Sequence, residues 1–274
     1  MKKILKGFTL IELIIVMAIL AILMAAIMNM FKPIRETYVD ATLYETQRTA
    51  QNGVVTYITE SIRYATDLGM YTKDKVSNVE GAVDAFTKAY LEANNVKTTD
   101  ADYTAKYNST LTKMKEQAEV LIIDNDNIYA FSNVGYKGRI LRRKFVKNAS
   151  GVVQPLTNNA EDASTNECRL ALGEAYYGES SYTITFGITQ DTTGTPPTYK
   201  GDASKGIKVT VASNASNGIR SNQVISNNGF VMCNNLCAPI NGMFDTTQYN
   251  ASASTGDGTK VYIVYLNDKV EITP

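Results

Sequence analysis

The chain has 274 residues, and its 27 basic and 27 acidic side chains balance, which gives no general attraction to nucleic acid. It contains no histidine, and this excludes a Ser-His-Asp triad, a Cys-His pair and an HExxH zinc helix. Neither a Walker loop nor a dinucleotide-binding glycine loop is present. Tyrosine is frequent and tryptophan absent, which is typical of an exported, strand-rich domain. We therefore expect a protein that is not an enzyme.

The N-terminus predicts a membrane-spanning helix that contains one charge. Residues 8–31 form an apolar run whose only ionisable side chain is Glu12, and about 20 apolar residues are enough to cross the hydrocarbon core. A carboxylate inside such a helix costs about 2.5–3.5 kcal/mol, and chains seldom carry it without a partner for the charge. No basic residue lies within the run, so the partner of Glu12 has to come from elsewhere.

The leader before this run offers a partner. Three lysines precede Gly7, and cleavage after Gly7 would create an α-amino group on Phe8, four residues from Glu12. The sequence GFTLIE, which begins at Gly7, resembles the class III leader and processing site of type IV prepilins. The apolar run that follows is longer than the core of an ordinary secretory signal.

The resemblance implies roles for these residues and for partner proteins. In type IV pilins a prepilin peptidase cuts after the glycine and methylates the new N-terminus, which assigns cleavage to Gly7 and N-methylation to Phe8. The glutamate at the fifth mature position pairs with the terminal amine of a neighbouring subunit, which assigns assembly to Glu12. Other pilin subunits, the peptidase and an assembly platform in the membrane are the implied partners. The precursor is expected to cross the cytoplasmic membrane once before it joins a cell-surface pilus.

The helical pattern continues past Pro33. Apolar residues recur at steps of three or four while charged residues occupy other faces, which predicts an amphipathic helix. We expect its apolar stripe to pack on the protein's own β-sheet; the stripe consists of Ile34, Tyr38, Ala41, Val55, Ile58, Ile62 and Ala65. The sequence Asp67-Leu68-Gly69 predicts the end of the helix, with Gly69 as a left-handed cap.

Two more helices are predicted at residues 79–93 and 103–118. VLIIDNDNIYAF, residues 120–131, then predicts a hairpin that turns at residues 124–127. An EF-hand in this acidic stretch is excluded, because Tyr129 and Gly135 stand where its loop needs glycine and glutamate.

A basic stretch, YKGRILRRKFVKN, follows at residues 136–148. Its charges fall on both faces of any strand drawn through it. One interpretation is a solvated edge strand that its charges protect from pairing. The other is an anion-binding patch for DNA or a cell-wall polymer, since phosphate contacts require only clustered cations.

The C-terminal part of the chain is predicted to be rich in strands. A capping box at Ser164 and Glu167 predicts a short helix first. Residues 181–189 and 206–213 alternate apolar and polar side chains, as half-buried strands do. Residues 222–233 predict two strands joined by an Asn-Asn-Gly turn, and residues 260–273 predict a terminal hairpin.

The chain has three cysteines, which is an odd number for an exported protein, so they cannot all form disulfides within the chain. They are Cys168, Cys233 and Cys237. The close spacing of Cys233 and Cys237 favours a structural zinc held by all three thiolates. Without histidine, the fourth ligand would be Glu167, Asp245 or water. Two alternatives stay open: one disulfide with a spare thiol, which the resemblance to pilins favours because many carry a C-terminal disulfide, and three unlinked buried cysteines.

These observations predict an α+β protein in which a long N-terminal helix packs on an antiparallel β-sheet head, with two pilin-like lobes. The expected divisions are residues 1–7 as leader, 8–31 as membrane and filament-core helix, 32–165 as amphipathic helix with a first lobe, and 166–274 as a strand-rich second lobe. We expect a structural subunit of a type IV pilus, a minor pilin whose extracellular head serves adhesion to a host-cell or surface receptor. A pseudopilin of a secretion or DNA-uptake machine, and a membrane-anchored protein that never polymerises, are the alternatives.

Overall fold

The structure is a computed structural model that describes residues 9–73, 75–125, 129–131, 134–136, 138–157, 168–172, 180–188, 206–215, 225–237, 241–242 and 260–273. The predicted cleavage residues Gly7 and Phe8, the capping box at Ser164 and Glu167, and Asp245 lie outside these ranges. The chain divides into two compact units, residues 1–46 and 47–274.

Three helices and eleven strands are described. The helices are α1 (Leu10–Ile62), α2 (Val79–Ala93) and α3 (Tyr103–Gln117). The strands are β1 (Asp67–Thr72), β2 (Glu119–Asp124), β3 (Tyr129–Phe131), β4 (Val134–Tyr136), β5 (Arg139–Arg143), β6 (Cys168–Leu170), β7 (Ser180–Ile188), β8 (Gly206–Ala215), β9 (Ile225–Met232), β10 (Asn241–Gly242) and β11 (Lys260–Leu266). The predicted α+β class, with a long apolar helix ahead of antiparallel sheets, is confirmed.

A six-stranded sheet is the centre of the second unit. Its strand order is β10-β1-β11-β2-β5-β6, and every neighbouring pair is antiparallel except β10 with β1. The central strand β11 is buried along its whole length. Strands from both sides of the predicted domain boundary at residues 165 and 166 contribute to this sheet.

Each face of the six-stranded sheet has its own hydrophobic core, because successive side chains of a strand point to opposite faces. Along β11, Val261 and Ile263 contribute to one core, and Tyr262 and Val264 to the other. The first core also contains the C-terminal turns of α1 and the second sheet. The second core is completed by α2 and α3, which cover the opposite face.

The second sheet has three antiparallel strands in the order β7-β8-β9. As predicted from their alternation, β7 buries Tyr182, Ile184 and Phe186, and β8 buries Ile207, Val209 and Val211. A two-stranded ribbon, β3 with β4, is described separately.

The apolar stripe of α1 is buried in part. Val55, Ile58, Ile62 and Ala65 lie in the first core, as predicted. The prediction was wrong for the N-terminal part of the stripe, where Ile34 is 59% and Tyr38 is 73% exposed. Both residues belong to the unit of residues 1–46, whose helix exposes its apolar side chains.

The predicted end of the helix was also wrong. α1 ends at Ile62, and Asp67, Leu68 and Gly69 begin β1. Gly69 serves close packing instead of a helix cap, because a Cβ there would lie 2.8 Å from the side chains of Phe86 and Tyr71. The sequence alone does not distinguish a glycine that is needed for close packing from a glycine that caps a helix.

Three of the predicted turns and hairpins were wrong. β2 pairs with β11 and β5, whereas β3 pairs with β4, so residues 120–131 form no hairpin. β9 runs without a turn through Asn227, Asn228 and Gly229. After β11 the chain forms no second strand within the residues that are described to position 273. The short helix predicted to follow Ser164 is also contradicted where it overlaps β6.

Candidate assembly site at the N-terminal helix

The first unit presents an exposed apolar helix. Every large apolar side chain from Leu10 to Phe31 is at least 39% exposed. Among the described residues, α1 is the one helix long and apolar enough to cross a membrane, and an 18-residue window of it has a mean hydropathy of 3.0 and is 0% buried. Such a surface is covered by lipid or by other apolar helices, because water is an unfavourable neighbour for it.

Glu12, the lone carboxylate of this surface, lies at the start of the helix and is bonded within the chain. Its Oε2 accepts hydrogen bonds from the backbone N–H and from the hydroxyl of Thr9, each at 2.9 Å. The N–H of Glu12 in turn lies 3.4 Å from the Thr9 hydroxyl oxygen. Thr9 and Glu12 therefore form a capping box, in which the N-cap and the third helical residue satisfy each other's free N–H groups.

Thr9 is a helix-capping residue that the sequence interpretation missed, although the sequence carries its signal. Threonine followed three residues later by glutamate, ahead of an apolar run, is the pattern of a capping box. The box accounts for the position of Glu12 near the helix start, where free N–H groups and the helix dipole favour a negative charge. It leaves the carboxylate exposed, so that a cation from outside the chain has access to it.

The three cysteines lie in different surroundings. Cys168 is buried in the core beneath α2 and α3, whereas Cys233 is buried in the core on the opposite face of the six-stranded sheet. Cys237 is exposed, and all three are free thiols. Burial raises the pKa of Cys233 to about 11, and its thiol donates a hydrogen bond to the carbonyl of Ile62 at 3.3 Å.

Within the described residues, which include all three cysteines, no group of three or more His, Cys, Asp or Glu side chains is placed to hold a metal ion. The predicted zinc site therefore rests on the spacing of the cysteines in the sequence and stays a prediction. Neither predicted fourth ligand, Glu167 or Asp245, lies in the described ranges.

The edge-strand interpretation of the basic stretch was wrong. The anion-patch interpretation stays a prediction, but it loses the arginines of β5, whereas Lys144 and Lys147 are exposed. β5 lies between β2 and β6 in the sheet. Arg139 pairs with the buried Asp124 at 3.2 Å, and Arg142 pairs with Glu119 at 3.4 Å. These arginines occupy interior strand positions because carboxylates on the neighbouring strand β2 balance their charge.

Arg143 is buried and serves as an internal donor. Its guanidinium bonds the carbonyl of Ala118 at 2.7 Å and that of Gln154 at 3.3 Å. The planar fork of arginine suits this bridging of several carbonyls. Three cations of the predicted anion patch are thus engaged within the protein.

Asp67 is a further buried charge, at the start of β1. Within the described part of the chain its Oδ2 has no hydrogen-bond partner. Burial raises the pKa of this carboxyl, while a bond from the Thr66 side chain and the charge of Lys269 oppose the rise. A buried acceptor without a partner is unfavourable to folding.

Comparison with known proteins identifies the N-terminal segment. A family model described as the prokaryotic N-terminal methylation motif matches residues 5–28. This range includes Gly7, Phe8 and Glu12, whose roles in cleavage, methylation and assembly stay predictions.

The rest of the chain has more distant similarities. No curated protein matches the sequence. Among solved structures the chain is similar to the PilB minor pilin from Streptococcus sanguinis, with 9% sequence identity and a TM-score of 0.34. That similarity covers 85% of this chain and 36% of the pilin, so the chain spans about a third of its length.

Proposed function

We propose that this chain, whose N-terminal methylation motif supports a type IV pilin-like protein, is a minor subunit of a type IV pilus, and that its head serves adhesion outside the cell. The observation that carries the proposal is the exposed apolar surface of residues 10–31, which begins at one capped carboxylate behind a lysine-rich leader. The same surface suits lipid before assembly and neighbouring apolar helices after it.

The carboxylate supports assembly more than anchoring. An ordinary anchor gains nothing from Glu12, because a charge in the apolar helix weakens insertion. A filament gains an electrostatic contact, provided that cleavage after Gly7 supplies an amine at Phe8. The capping box holds the exposed Glu12 side chain at the N-terminal end of the helix, and we infer that the amine of a neighbouring subunit contacts it there.

The large head supports a minor, adhesive role. The second unit has a six-stranded sheet, a three-stranded sheet, a helical layer and two hydrophobic cores, which is more structure than a filament contact alone needs. We infer that this surplus surface serves recognition of a host cell or another surface.

Filaments sheared from cells and labelled with an antibody against this protein test the proposal. We expect sparse label along filaments or at their tips, and a mature N-terminus of N-methylated Phe8 by mass spectrometry. Label confined to the cell envelope, with no filament carrying it, would instead indicate a pseudopilin. Protein in filaments that still begins at Met1 would exclude the processing step.

A further inference from the structure

A cavity in the helical layer has a preformed lining of polar and apolar groups. It has a volume of about 640 Å³, within the usual range of about 300–1,000 Å³ for small-molecule sites. The C-terminal part of α2, the loop between α2 and α3, and the start of α3 line it. The lining residues are Lys88, Glu92, Asn95, Val96, Lys97, Thr98, Thr99 and Tyr103.

The loop wall of the cavity is fixed by its own hydrogen bonds. Asn95 takes a left-handed conformation with φ of 61°, and the N–H of Val96 bonds the carbonyl of Leu91 at 2.9 Å, which together end α2. The N–H of Lys97 bonds the Asp100 carboxylate at 2.8 Å. A loop held in this way costs a ligand little ordering entropy.

The helical wall is fixed by a chain of side-chain contacts. Tyr103 stacks on Tyr107 with ring centroids 6.0 Å apart and planes 14° from parallel. The Tyr107 hydroxyl donates to the Asp84 carboxylate, and the other oxygen of Asp84 pairs with Lys88 at 2.8 Å. Asp84 and Tyr107 lie outside the lining and position two groups within it, the aromatic ring of Tyr103 and the ammonium of Lys88.

The lining combines one aromatic ring with hydroxyl, amide, carboxylate and ammonium groups. Aromatic rings offer an apolar face, which suits the C–H face of a pyranose ring. Hydroxyl groups on the rim of such a sugar both donate and accept, and the lining supplies both functions through Thr98, Thr99 and Glu92. A purely apolar ligand would leave these polar groups without partners.

We propose that this cavity binds a saccharide unit of a surface glycan, with Tyr103 as the stacking platform. The biological use of the site rests on the proposed adhesive function, but binding itself needs no filament. Lys88 is paired with Asp84, so Lys97 is the lining cation that the carboxylate of an acidic sugar is expected to contact.

Binding of the full chain in detergent to a printed array of defined neutral and acidic oligosaccharides tests the proposal. The best-bound oligosaccharide is then titrated by calorimetry. We expect Tyr103→Ala to weaken binding at least tenfold, Tyr103→Phe to retain it because the ring is kept, and Lys97→Ala to weaken acidic sugars selectively. Tyr64→Ala is the matched control, since Tyr64 is an exposed tyrosine outside the cavity.

Two results would overturn the proposal. One is the absence of binding to every saccharide on the array by chain whose thermal unfolding shows it to be folded. The other is unchanged affinity in both Tyr103→Ala and Lys97→Ala. Because the full chain is assayed in detergent and outside any filament, neither result depends on filament assembly, and failure to find the protein in filaments would leave the binding result intact.

Discussion

The side chain of Asn125 pairs with the backbone of Ile184 as a strand would. Its amide donates to the Ile184 carbonyl at 2.8 Å, and its carbonyl oxygen accepts the Ile184 N–H at 3.1 Å. Asn125 follows β2 of the six-stranded sheet, and Ile184 lies in β7 of the three-stranded sheet. This one buried side chain therefore joins the two sheets.

We expect Asn125→Ala to lower the free energy of unfolding by about 2–3 kcal/mol, because two buried backbone groups lose their partners. Chemical denaturation of the full chain in detergent, followed by near-ultraviolet circular dichroism, measures the loss. Asn228→Ala is the control, since Asn228 is exposed and bonds Thr210 at the surface. Equal losses in the two variants would show that Asn125 does not join the sheets.

Gly229 is expected to be the least replaceable residue of β9. A Cβ at this position would lie 2.0 Å from Cγ1 of Val55 on α1. Gly229→Ala should therefore destabilise the protein by about 1–3 kcal/mol through overpacking. Val55→Ala in the same chain should restore part of the loss, as a double-mutant cycle measured by thermal unfolding would show.

The control for Gly229 is Gly187, which is also in a strand of the three-stranded sheet. The nearest atom to a Cβ there is Lys208 Cβ at 4.0 Å, so Gly187→Ala meets no obstacle. Similar losses of stability in Gly229→Ala and Gly187→Ala would exclude steric contact with α1 as the cause. They would indicate instead that strands of this sheet favour glycine for its backbone conformation.

The sequence predicted the elements that have strong local patterns. The helices at 79–93 and 103–118 and the alternating strands β7 and β8 lie where periodicity placed them. Two of the errors arose at Gly69 and at residues 227–229, where pairing and packing with distant residues decide what a turn-forming residue does. Pairing partners such as β11 with β1 are almost 200 residues apart in the sequence, and nothing local encodes them.

The residues of the candidate assembly site could be named from the sequence because they are contiguous, and even the missed Thr9 carried its capping signal, whereas their roles in assembly stay predictions. The surroundings of the cysteines could not be predicted. Which core such a residue faces depends on strand order and register, and the local sequence does not encode either. The same holds for the arginines of β5, whose acidic partners lie on the neighbouring strand.

Asp67 predicts a stability that depends on pH. Burial raises the pKa of its carboxyl, so the folded state holds the proton more tightly than the unfolded state, whose pKa is about 3.9. The contribution of Asp67 therefore becomes less favourable as pH rises from about 3.9 through the folded pKa. Asp67→Asn, which cannot ionise, should raise the free energy of unfolding at pH 7 and should raise it less near pH 4.

Thermal unfolding of wild type and Asp67→Asn across that pH range checks this expectation, because the difference between the two chains removes the effect of all other titrating groups. A difference that is the same at every pH would show that the carboxyl is not perturbed in the folded state.

The cysteines predict selective labelling. At pH 7.5 a maleimide should modify the exposed Cys237 rapidly and the buried Cys168 and Cys233 only on unfolding. Cys237→Ser should abolish rapid labelling, whereas Cys168→Ser, the control, should not change it. Intact mass spectrometry counts the modified sites.

The same sample tests the zinc prediction by elemental analysis. Stoichiometric zinc, with Cys237 protected from the maleimide until a chelator is added, would contradict the described positions of the thiols and support the prediction from spacing. A mass two units below that of the reduced chain would support the disulfide instead.

The capping box gives Glu12 two separable roles, one within the helix and one between subunits. Glu12→Gln keeps an oxygen that can cap Thr9 but removes the charge, whereas Glu12→Ala removes both. Thr9→Val keeps the charge and removes the capping hydroxyl, at a cost of about 0.5–2 kcal/mol to the helix. If the charge meets the amine of a neighbouring subunit, Glu12→Gln and Glu12→Ala should both reduce incorporation into filaments at least tenfold, and Thr9→Val should enter them nearly as well as wild type.

Immunoblots of sheared filaments and of the membrane fraction, from cells that express each variant at equal level, measure incorporation. All three variants should insert into the membrane, and the two that lack the charge should insert at least as well as wild type, since a costly charge is gone. The reverse order in filaments, with Glu12→Gln normal and Thr9→Val impaired, would assign Glu12 to the helix start alone and remove the electrostatic argument for assembly.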